Sequence, residues 1–103
     1  MNIFLMVDIE GISGIYCREQ VIPGERRFDE GRRFMTEDVN ACVEACKEAG
    51  ADRVYVRDCH GGSYSLIYDG LSEKADYYIC GYSGDRRFPE IIQDCDAAIL
   101  LGY

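Results

Sequence analysis

Apolar and polar positions divide the chain into short uninterrupted apolar runs and one long segment with a helical period. The first run, Asn2-Ile-Phe-Leu-Met-Val7, has no charge inside it and predicts a strand buried on both faces, as in a parallel sheet. It stops at Asp8-Ile-Glu-Gly-Ile-Ser-Gly14, where Gly11 and Gly14 loosen the backbone. From Gly11 to about Phe28 no period is visible, and connections of that length are often functional. From about Asp29 to Ala49 the residues Met35, Val39, Cys42, Val43, Cys46 and Ala49 recur at three- and four-residue steps. They predict a helix with one apolar stripe, its charges mostly off that stripe, stopped by Gly50.

Val54-Tyr-Val56 predicts a second strand, and strand–helix–strand is a βαβ unit with parallel strands. A weaker third strand covers Tyr77 to Cys80, a short helix is expected from Phe88 to Gln93, and Ala97 to Leu101 forms the last strand. The fold class is therefore α/β, a three-layer domain with a mainly parallel sheet, and residues 1–103 form a single unit. A parallel sheet wants helices on both faces, yet one long helix is evident and the chain stops on a strand. The expectation is a domain truncated after its fourth strand.

Composition narrows the partners. Eleven Lys and Arg against nineteen Asp and Glu give a net charge of −8, which argues against nucleic acid and against an anionic membrane surface. The opening apolar run is too short for a signal or a membrane span. The six cysteines, Cys17, Cys42, Cys46, Cys59, Cys80 and Cys95, show no Cys-x-x-Cys pair. Without an export signal they are expected as reduced, mostly buried thiols in a cytoplasm.

Ligand sites in parallel sheets collect at the carboxyl ends of strands. There the first strand offers Asp8 and Glu10, and the second Asp58 and His60, the single histidine. Both pairs have i, i+2 spacing, so wherever the strand continues they share a face and converge on one pocket. Carboxylates with imidazole suit zinc, and also manganese, iron or cobalt. The spacing alone names no reaction.

Met6-Val-Asp-Ile-Glu-Gly-Ile-Ser-Gly14, Arg33-Phe-Met-Thr-Glu-Asp-Val-Asn40, Asp58-Cys-His60 and the closing Leu100-Leu-Gly-Tyr103 run in collinear order. Together they resemble the bacterial D-aminopeptidase family of metallopeptidases, of the dipeptide-operon type. The resemblance implies a two-zinc site, a cytoplasmic ring-shaped decamer, and removal of D-amino acids from the amino terminus of short peptides. It implies that Asp8 bridges both ions while Glu10 and His60 hold one of them, with zinc acidifying a water and polarising the peptide carbonyl. The second ion's histidine and glutamate, and the family's catalytic histidine, fall beyond Tyr103, so the catalytic residue is unassigned.

Other residues carry plainer readings. Asp58 either orients His60 or caps the strand end, and Cys59 points away from His60. Asn40 is a candidate to brace the site by hydrogen bonds, whereas Glu37 suits a helix surface. Gly11 and Gly14 let the backbone pass close to metal or substrate, or simply turn. The pairs Arg26-Arg27, Arg32-Arg33 and Arg86-Arg87 read as solvated or inter-subunit charges. The rival enzyme is a two-metal 3′–5′ exonuclease, which also opens on a strand ending in Asp-x-Glu but continues into antiparallel strands. A phosphatase with an aspartate nucleophile would want a second Asp where Glu10 stands. The non-enzyme alternative is an inactive fragment or degenerate member of the peptidase family.

Overall fold

The computed structural model describes residues 1–81 and 90–103. Four strands, β1 (Asn2–Val7), β2 (Arg53–Asp58), β3 (Tyr77–Ile79) and β4 (Ala97–Leu101), form one sheet in the order β3-β2-β1-β4. Every neighbouring pair is parallel. The α/β, parallel-sheet expectation holds. The central position of β1 explains its unbroken apolar run: both edges are paired, and Phe4 on one face and Leu5 and Val7 on the other are fully buried.

Helix α1 (Phe28–Glu48) links β1 to β2. Met35, Val39 and Val43 are inaccessible and form one core with Ile3, Leu5, Val7, Val54 and Val56, while Cys42 and Cys46 pack at its margin. Two departures from the expected stripe have local causes. Ala49 is exposed because it follows the last helical turn, just before Gly50 reverses the chain at φ +93°. Thr36 is buried although polar, because its hydroxyl donates to the Arg32 carbonyl and accepts the Ile67 N–H.

β2 runs further than expected, to Asp58, and β3 stops at Ile79, leaving Cys80 exposed outside the strand. All six cysteines are free. The stretch between Gly11 and Phe28 is irregular apart from one turn of 3-10 helix at Arg18–Gln20. Glu90–Asp94 is also a 3-10 turn; Phe88 and Pro89 of the expected helix, and the pair Arg86-Arg87, lie outside the described residues. The other two arginine pairs stay near the surface, with Arg27 on Glu30, Arg32 on Asp29 and Arg33 on Glu37. No helix among the described residues is long and apolar enough to cross a membrane.

The short edge strand β3 is held by Asp76. Its carboxylate accepts the Val54 N–H at 2.7 Å and the Lys47 ammonium at 2.8 Å, tying β3 to the start of β2 and the end of α1. Burial works to raise this carboxyl, but Lys47 and the Val54 N–H outweigh it and hold it below the ordinary carboxylate value. A lowered native value makes the unfolded chain take up the proton first as pH falls. This stabilisation is therefore complete above the ordinary range and is lost as pH drops through it. The difference in urea midpoint between wild type and Asp76→Asn is expected to be largest near neutrality and to shrink with acid.

Candidate metal centre

The sheet register decides where the polar residues gather. Val7 lies opposite both Asp58 of β2 and Leu101 of β4, so three chain segments leave the sheet at one level. The Cys59 N–H donates to the Val7 carbonyl at 2.8 Å and the Asp8 N–H to the Leu101 carbonyl at 2.9 Å. Past the strands, Gly11 N–H donates to the Gly102 carbonyl at 2.8 Å. Both positions require glycine. A Cβ on Gly102 (φ +76°) would meet the Asp8 carbonyl oxygen at 2.1 Å, and one on Gly11 would meet the Gly102 carbonyl at 2.8 Å. Gly11 is thus a close-approach residue, but what approaches it is the end of β4. Gly14 (φ +88°) turns the chain against the Phe34 ring.

Asp8 and Glu10 do not continue the strand, so alternation does not explain their convergence. Ile9 does. Its side chain is fully buried between them and pins the turn, leaving the two flanking carboxylates on the solvent side. His60 sits after β2 with its ring largely enclosed. Its Nδ1 is 3.1 Å from Asp8 Oδ1 and 3.4 Å from Glu10 Oε2. One donor atom from each of Asp8, Glu10 and His60 falls within 4.8 Å of the others. Partial burial, then the adjacent Asp8 carboxyl, push the Glu10 carboxyl above its ordinary value, against the opposing pull of His60. Two anionic groups crowded on one imidazole make a place where a cation relieves repulsion. Two carboxylates and an imidazole are a donor set that suits zinc.

Asp58 does not join them. The chain leaves the sheet at Cys59, and the fully buried Asp58 carboxylate turns into the following loop. There it accepts the N–H groups of His60 at 3.0 Å, Ser65 at 2.7 Å and Leu66 at 3.3 Å. Burial raises this carboxyl above its ordinary value, and the three N–H groups oppose the rise. Asp58 orients His60 through its backbone, not its ring. Cys59 is half-buried, its thiol near the Arg57 carbonyl. Asn40 braces a different turn, donating to the Gly70 carbonyl and accepting the Ser72 N–H.

One contact has no precursor in the sequence. The Val21 carbonyl lies 2.7 Å from His60 Nε2, the ring nitrogen facing away from the carboxylates. It is a backbone group in an aperiodic stretch, so no residue-type signal could have pointed to it.

The model of the D-aminopeptidase family matches residues 1–103. The chain belongs to the D-aminopeptidase family. A D-aminopeptidase of Bacillus subtilis (strain 168) is 33% identical over 107 residues, covering 100% of this chain and 38% of the relative. The solved structure of DppA from Bacillus subtilis, a Zn-dependent D-aminopeptidase and self-compartmentalizing protease, aligns with a TM-score of 0.93 at 32% identity. That alignment covers 100% of this chain and 38% of DppA, so the chain spans well under half the length of the relatives it matches. The exonuclease alternative finds no support in these relatives, and the helix after β1 with all-parallel pairing departs from its antiparallel continuation.

Asp58→Asn is the sharpest test of how the His60 loop is held. An amide rotamer that keeps the His60 contact turns an NH2 donor toward the Ser65 and Leu66 N–H groups. Leaving buried donors unpaired costs about 1–3 kcal/mol. Urea unfolding is expected to show a loss of that size.

Proposed function

We propose that this chain carries part of the active site of a zinc-dependent aminopeptidase, with Asp8, Glu10 and His60 as metal ligands. The observation that carries the proposal is the gathering of these three donors, within 4.8 Å, at the carboxyl end of a parallel sheet of D-aminopeptidase type. Asp8 and Glu10 contribute anionic oxygens and His60 contributes Nδ1, whose ring is steadied from behind by the Val21 carbonyl. Three protein ligands leave a position open, the arrangement of catalytic rather than structural zinc. Held by Asp8, Glu10 and His60, zinc would supply Lewis acidity toward a water and a peptide carbonyl.

The relatives and the resemblance of the motifs support a reading of substrate and assembly. We assign short peptides with an amino-terminal D-residue as substrate, two zinc ions per complete site with Asp8 as the bridge, and a homo-oligomer, the decamer of the family. Manganese, cobalt and iron share the donor preference. A cytoplasmic location accords with six unpaired thiols. His60 is the single histidine in residues 1–103, so no second histidine is present here to act as catalytic acid–base or as ligand to the second ion.

Zinc content measured by elemental mass spectrometry after desalting tests the ligand set. Wild type is expected to retain zinc, and Asp8→Ala and His60→Ala to lose most of it. Equal zinc in all three proteins would remove the assignment.

A further inference from the structure

We infer that Gln20 is a positioning residue for this centre: through the Val21 carbonyl it fixes which ring nitrogen of His60 faces the carboxylates. The metal half of this inference rests on the ligand reading above; the half concerning the ring does not.

A carbonyl oxygen only accepts hydrogen bonds. At 2.7 Å from Val21, Nε2 therefore carries a hydrogen, and Nδ1, on the Asp8 and Glu10 side, is the nitrogen whose lone pair can reach a cation. A partner on the far nitrogen sets tautomer and ring orientation in metal-ligating histidines. That role demands a rigid carbonyl, yet Val21 lies in the irregular connection between β1 and α1, just past the 3-10 turn. The turn holds the Val21 N–H on the Arg18 carbonyl at 3.0 Å but ends there, before the Val21 carbonyl.

That carbonyl is held by the side chain of Gln20. It is completely buried, and each end of its amide is used twice or more. Its Oε1 accepts the N–H groups of Tyr16 at 2.8 Å and Cys17 at 3.1 Å, with the Cys17 thiol at 3.5 Å. Its Nε2 donates to the Gly14 carbonyl at 3.0 Å and to Glu30 of α1 at 3.2 Å. One amide thus closes the connection on itself and fastens it to the helix. The backbone is clamped from the other side as well: a Cβ on Gly31 would lie 2.0 Å from the Gln20 carbonyl oxygen, so α1 rests directly on the Gln20–Val21 peptide. Glu30 is kept in place by Arg27 at 2.7 Å. An apolar side chain at position 20 would fill the space but close nothing.

The test uses the 103-residue chain labelled with 15N-histidine, in which His60 gives the only imidazole signals. Long-range proton–nitrogen spectra report which ring nitrogen is protonated and how fast its proton exchanges, and titration with zinc alone reports affinity. Wild type is expected to show a slowly exchanging Nε2 proton, with zinc on Nδ1. Gln20→Met, of similar size, is expected to speed Nε2 proton exchange and to weaken zinc about 10- to 100-fold, the usual cost of losing a group that orients a ligand. Glu30→Ala loosens one contact of the amide and is expected to move both readouts the same way, less far; it serves if the buried substitution unfolds the chain. A wild-type Nε2 without a proton would overturn the inference. So would exchange and affinity unchanged in both variants while His60→Ala abolishes zinc binding. Zinc binding indifferent to His60→Ala would instead defeat the ligand reading, and Nε2 exchange alone would then decide the role of Gln20.

Discussion

Backbone pairing on both edges of β1 is the constraint from which the rest of the architecture follows. A strand flanked in parallel by β2 and β4 has no free edge and no solvent face along most of its length, which demands the apolar run from Ile3 to Val7. The same pairing sets three chain ends side by side, because Val7 is opposite both Asp58 and Leu101. Polar residues that cannot enter the sheet collect where it ends. The gathering of Asp8, Glu10 and His60 is in this sense a by-product of register: slip β2 by one residue and His60 no longer meets Asp8.

What turns a cluster of polar residues into a defined site is the backbone around it. Two glycines allow the end of β4 to lie against the turn after β1, closer than any Cβ permits. Asp58 collects three N–H groups, which offset part of the cost of burying its carboxylate and tie the loop from His60 to Leu66 to the end of β2. Val21 contributes only its carbonyl. The residues that would touch a metal ion are thus few, and the groups that aim them are mostly main chain, held by buried side chains at a distance.

This division explains how much could be read from the sequence. Asp8, Glu10 and His60 are legible as candidates because carboxylates and a lone histidine just after apolar runs are chemically conspicuous, and the structure brings the three together. Alternation at i, i+2 accounts for their convergence only in part: β1 ends at Val7 and β2 at Asp58, and past β1 the fully buried Ile9 leaves its two neighbours toward solvent. The same shortfall sent Asp58 into the loop instead of the pocket. Asn40, expected to brace the site, instead braces the turn at Gly70 and Ser72.

The sequence by itself determined the element order, the βαβ unit, the apolar stripe of α1 and the set of metal-ligating candidates. Periodicity and residue chemistry are local properties, and each residue carries them wherever it sits. Tertiary structure alone decided the order β3-β2-β1-β4, the approach of Gly102 to Gly11, and the meeting of Val21 with His60. Those depend on segments far apart in the chain, 39 residues for Val21 and His60 and 91 for Gly11 and Gly102, and on backbone groups that every residue possesses and that therefore mark none.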